Sequence, residues 1–69
     1  MPLPLAPIGQ PLIVKKLLAE EKYRRRFQDL GIAAGAQVVL LSVTGGSVIV
    51  QVCASRLALD RDMAMKIVV

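Results

Sequence analysis

Sixty-nine residues provide for one domain and no second, because domains typically run to ~100–150 residues and a chain this short buries a smaller share of its surface. A 55% hydrophobic share against 20% charged residues excludes disorder, while the lack of His and a single Cys exclude zinc fingers, Cys–His nucleophiles, haem attachment and a disulfide framework. The net charge of +4 is local: Lys15, Lys16, Lys22, Arg24, Arg25 and Arg26 stand against Glu20 and Glu21, and no charge occurs from Leu30 to Ser55.

Residues 1–7 form a proline-rich arm, with Pro2, Pro4 and Pro7, ahead of a domain spanning 8–69. Proline lacks an amide donor and pushes its predecessor to extended geometry, so the arm is expected as polyproline II or edge strand. It has no basic leader and no unbroken apolar run, so no secretory signal is expected, and an unstapled domain of this size reads as cytosolic. A turn is expected at Ile8-Gly9-Gln10-Pro11, then a strand through Leu12–Leu18 that leads into a helix. From Glu20 to Leu30, Tyr23, Phe27 and Leu30 fall at i, i+4 and i+7, and the acidic pair lies where the helix dipole favours it. Gly31 then follows the last apolar helical position and precedes Ile32, the order of a left-handed glycine cap.

The runs Val38–Val43 and Val48–Cys53 are β-branched and flank Thr44-Gly45-Gly46-Ser47, which predicts a hairpin whose glycines supply positive φ. The same uncharged span is long enough to cross a bilayer, but two central glycines with Gln37, Thr44, Ser47 and Gln51 suit strands better than an inserted helix. Arg56–Leu59 and Met65–Val69 read as two further strands around one helical turn at Asp60–Ala64. The fold class expected is mostly β with one short α-helix, a small barrel of about five strands.

This order of elements resembles the ferrous iron transport protein A (FeoA) family. The resemblance is carried by Ile13-Val14-Lys15-Lys16-Leu17, by Tyr23-Arg24-Arg25-Arg26-Phe27-Gln28-Asp29-Leu30-Gly31-Ile32-Ala33-Ala34-Gly35-Ala36-Gln37-Val38, and by the tail Arg56–Leu59 with Ala64–Val69. It covers residues 8–69. The chain departs from the family pattern at Ala34, where Pro commonly precedes the glycine, at Ser47, where Pro often follows the hairpin glycine, and at Asp60, where a basic residue is common. The resemblance implies an SH3-like barrel and a cytoplasmic, non-catalytic accessory of the membrane ferrous iron permease that carries a G domain. Through that partner the chain would lie at the inner face of the membrane, with no insertion of its own.

The remaining chemistry is sparse. No nucleophile–base pair is present, so no catalytic residue is assigned. Met63, Met65 and Cys53 are read as packing and surface residues, not soft metal ligands, and no cofactor or metal site is expected. Arg24, Arg25 and Arg26 are candidate partner contacts, although consecutive residues spread around a helix and cannot all serve one contact. Alternation sends Val39, Leu41 and Val43 to the face opposite Val38 and Leu40, to be covered either by the helix within the chain or by another chain, which makes them candidate contacts for the permease or for a homo-oligomer. Gly31, Gly35, Gly45 and Gly46 are expected as structural turn residues. The alternative function is a small basic nucleic-acid-binding barrel; nucleic acid is not the expected partner, because the aromatics, Tyr23 and Phe27, both lie on the helix.

Overall fold

The computed structural model describes Met1–Val69. The chain runs through a 3-10 turn (Leu3–Leu5), β1 (Pro11–Ile13), β2 (Lys16–Leu17), α1 (Glu21–Asp29), β3 (Gln37–Val43), β4 (Ser47–Val52), β5 (Ser55–Asp60), α2 (Arg61–Ala64) and β6 (Ile67–Val68). One antiparallel sheet has the order β1-β3-β4-β5, and β2 pairs with β6 in a separate ribbon. Together they close a small barrel around a core that includes Leu3, Val14, Phe27, Ile32, Leu40, Val48, Val50, Ala64 and Ile67, all buried.

The register shows how alternation builds this core. Leu12 pairs with Val38 and Val38 with Val52, Leu40 pairs with Val50 and Val50 with Leu57, and Val43 pairs with Val48, which pairs with Leu59. These rows face inward, as period-2 side-chain geometry requires.

The single strand expected over Leu12–Leu18 is two strands. At its middle, Val14 N–H donates to the Ala36 carbonyl (2.9 Å) and Lys15 N–H to the Val68 carbonyl (2.7 Å), so the chain leaves the large sheet and joins the ribbon. Gly35, at φ +89°, donates its N–H to the Val14 carbonyl (2.8 Å) and holds this corner from the other side.

The proline-rich segment also differs from the extended arm expected. Pro2 is extended and bridges Val68, but Leu3–Leu5 make a 3-10 turn closed by Leu5 N–H to Pro2 O and Ala6 N–H to Leu3 O, each 3.0 Å. Proline's fixed φ suits the first turn of a helix as well as polyproline II, and Pro4 sits where its missing N–H costs nothing. The turn drives Leu3 into the core with no exposed surface. The chain termini meet: the Met1 amino group donates to the Val69 carbonyl (2.7 Å), and Val69 N–H donates to that of Met1 (2.8 Å).

Two further corrections concern the hairpins. Neither Gly45 nor Gly46 has φ in the left-handed region; the turn closes instead because the Thr44 N–H (2.9 Å) and hydroxyl (3.2 Å) both donate to the Ser47 carbonyl. The second strand stops at Val52, and Cys53, expected within it, takes φ +55° in the tight turn before β5.

Candidate interaction surface

Helix α1 is fixed in angle by its C-terminal end. Leu30 caps it, Gly31 follows at φ +83°, Gly31 N–H donates to the Gln28 carbonyl (2.9 Å) and Ile32 N–H to the Phe27 carbonyl (2.7 Å). This pair of bonds is the Schellman arrangement, and it turns the chain so that Ile32 packs, fully buried, beside Phe27. The glycine cap expected from the order Leu-Gly-Ile is therefore present.

The three arginines diverge. Arg24 is drawn back, its Nε donating to the Ala19 carbonyl (3.0 Å), and it lines a shallow cleft with Lys16, Leu17 and Gln28. Arg25 is exposed between Glu21 and Lys22. Arg26 points toward β5, where it borders a cleft of about 290 Å³ with Leu30, Leu57, Leu59 and Met63. Beyond β4, β5 has no further strand neighbour, so this cleft lies along an open sheet edge.

The apolar strand residues are divided as well. Leu40 pairs with Val50 and Ser42 with Ile49, which leaves Leu41 as the extra residue of a β-bulge. The inserted residue shifts the phase of the strand, so Val43 pairs with Val48 and packs against the core. Val39, Leu41 and Val43 were expected on one outer face; Val43 is not on it. Val39 and Leu41 remain outside, half-buried, joined by Ile49 and by Ile13, which is 53% exposed. Sequence reasoning missed Ile13 and Ile49, although the alternation of Ile49 with the buried Val48 and Val50 was a usable signal. Helix α1 does not cover this face, because Phe27 belongs to the inner cluster.

The outer face carries little charge. Pro11 pairs with Val39, Val39 with Gln51 and Gln51 with Arg56, so one row runs from apolar to basic. Chemically the face can bury apolar area and accept amide hydrogen bonds, with Arg56 at its β5 side.

Metal and nucleic-acid chemistry find little here. No group of three or more His, Cys, Asp or Glu side chains converges anywhere in the structure. Cys53 precedes β5 and Met63 follows it, so a strand length of roughly 17–20 Å separates these two sulfur-bearing side chains. Phe27 is fully buried, and the Tyr23 ring is flanked by Lys22 Nζ at 5.1 Å and Lys66 Nζ at 5.9 Å, so neither offers a base-stacking platform on the sheet. No helix is long and apolar enough to cross a membrane, and the uncharged span forms β3 and β4.

Comparison with known proteins places this arrangement. The FeoA domain matches residues 1–69. A candidate Fe(2+) transport protein A of Methanocaldococcus jannaschii is 35% identical over 68 residues, 99% of this chain and 83% of that protein. The solution structure of the FeoA protein of Chlorobium tepidum superposes with a TM-score of 0.86 at 28% identity, covering 99% of this chain and 67% of that one. FeoA of Stenotrophomonas maltophilia, solved with zinc and described as a procaryotic SH3 domain protein, gives a TM-score of 0.82 at 28% identity over 99% of this chain and 87% of its own.

Proposed function

This chain belongs to the FeoA family, and from that premise we propose that it is a non-catalytic accessory of ferrous iron uptake that binds the cytoplasmic G domain of the membrane permease. The observation that carries the choice of surface is the outer sheet face, where the exposed Ile13 and the half-buried Val39, Leu41 and Ile49 form an apolar stripe on the side opposite the core. Such a stripe is costly to leave in water and suits a protein partner. Arg26 and the open edge of β5 border the same sheet and supply charge and backbone hydrogen-bonding groups at its margin. Arg24 contributes less, because its guanidinium is already engaged with Ala19. The partner would hold the protein at the inner face of the membrane.

The test is a pull-down of the permease, intact and as its isolated G domain, with the wild-type chain and with Leu41→Lys and Ile49→Lys. Both substitutions are at outward positions, so each should keep the fold and weaken capture at least tenfold. Absence of binding to either form of the permease would overturn the accessory role. A second copy of this chain is the competing occupant, and sedimentation at rising protein concentration distinguishes it.

A further inference from the structure

The ribbon of β2 and β6 presents a second surface, distinct from the outer sheet face. Its register pairs Lys16 with Val68 and Leu17 with Ile67, and the ladder continues one step because Leu18 N–H donates to the Lys66 carbonyl (2.7 Å). Leu17 packs against the core and Ile67 is fully buried, so alternation places Lys16, Leu18, Lys66 and Val68 together on the opposite side. The result is a small checkerboard in which each cross-strand pair holds one cation and one apolar side chain. Leu18 is 57% exposed.

Helix α1 brings a further cation to this face. Lys66 and Lys22 approach the same Tyr23 ring, with Nζ at 5.9 and 5.1 Å from its centroid. The aromatic contact holds both ammonium groups near the ribbon without neutralising them. Glu20 and Glu21, at the start of α1, oppose these three lysines in part.

An exposed leucine ringed by lysines fits an interface in which an apolar layer lies just beneath a layer of negative charge. A nucleic acid would satisfy the lysines but give Leu18 no apolar environment, and an acidic protein surface would need an apolar pocket matched to this one leucine. A bilayer containing anionic phospholipid satisfies both, because leucine can enter the headgroup boundary while lysine stems lie along it and raise their charges to the phosphates. We infer that the β2–β6 ribbon, through Lys16, Leu18, Lys22 and Lys66, docks the protein reversibly on anionic lipid surfaces. The surface is separate from the one assigned to the permease, so bilayer and protein partner can be engaged together.

Vesicle flotation of the full chain tests this, with phosphatidylcholine alone and with about one-third phosphatidylglycerol. Vesicles contain no protein, so the outcome is independent of the permease pull-down. Binding is expected only with the anionic lipid and should disappear near 1 M salt, where the screening length falls to ~3 Å. Lys16→Gln and Lys66→Gln should each weaken it on the order of fivefold, and Leu18→Ser about tenfold, with circular dichroism spectra unchanged. Arg56→Gln, on the other sheet, should have no effect. The inference is overturned by failure to bind anionic vesicles, by equal binding to phosphatidylcholine alone, or by indifference to Leu18→Ser. It is overturned equally if Arg56→Gln weakens binding as much as Lys66→Gln, which would signify net charge alone, or if millimolar free phosphate displaces the protein.

Discussion

Replacing Gly31 with Ala isolates the capping turn from every other feature of the fold. Gly31 holds φ +83°, and a Cβ built there meets Val52 Cγ1 at 3.4 Å, an ordinary van der Waals contact. Steric overlap therefore adds little, and the cost is that of a left-handed backbone, ~1–2 kcal/mol for a residue with a Cβ. Alanine also restricts the unfolded chain, which returns ~0.4–1 kcal/mol. The net destabilisation should be about 1 kcal/mol. With an m-value of ~1 kcal/mol/M for so small a protein, the urea midpoint should fall by about 1 M, and the melting temperature by ~4–8 °C. Gly31→Asn, which tolerates the left-handed region better, should recover part of the loss. Gly45→Ala is the internal control: its φ is not left-handed and a Cβ there meets nothing within 4 Å, so it should be neutral or slightly stabilising. Equal midpoints for Gly31→Ala and wild type, or an equal loss in Gly45→Ala, would refute the reasoning.

Other substitutions probe the core, the basic helix and metal chemistry. Leu3→Ala should cost ~2–5 kcal/mol in denaturant melts, enough to unfold much of a domain whose core supplies ~3–5 kcal/mol, whereas an arm lying on the surface would lose almost nothing. Arg25→Ala should remain within ~0.5 kcal/mol of wild type by the same measurement, since its side chain is exposed. Anaerobic titration with Fe²⁺ should show no saturable one-to-one site, because the chain has no His and its carboxylates do not converge; a stoichiometric site of micromolar affinity or tighter would contradict this.

What could be read from the sequence was what is decided within a few neighbouring residues. The helix and its end were legible because Tyr23, Phe27 and Leu30 repeat at helical spacing and Leu30-Gly31-Ile32 is a local capping pattern. The paired strands were legible because β-branched residues cluster on both sides of Thr44–Ser47. The bulge at Leu41 was not, since nothing in Val38–Val43 states which residue goes unpaired; that depends on β4. For the same reason Val43 was placed on the wrong face. The Leu3–Leu5 turn escaped because proline fixes φ but not the choice between an extended arm and a 3-10 turn, and the burial of Leu3 depends on β3 and α2, which begin more than thirty residues later. The candidate surface was found in part, through Val39 and Leu41, while Ile13 and Ile49 join it only by the tertiary register.

The meeting of residue 1 with residue 69 bears on the order in which the parts of the fold are made. Pro2 bridges Val68, the 3-10 turn that follows packs against β3 and α2, and the bonds between Met1 and Val69 close a loop of more than sixty residues. Such contacts form late, because the entropy of loop closure must be met before the pairing returns anything. The β3–β4 hairpin and the capped helix are local in sequence and can form first. Leu3 settles only once β3 and α2 are in place, so any folding intermediate that lacks them carries this leucine in water.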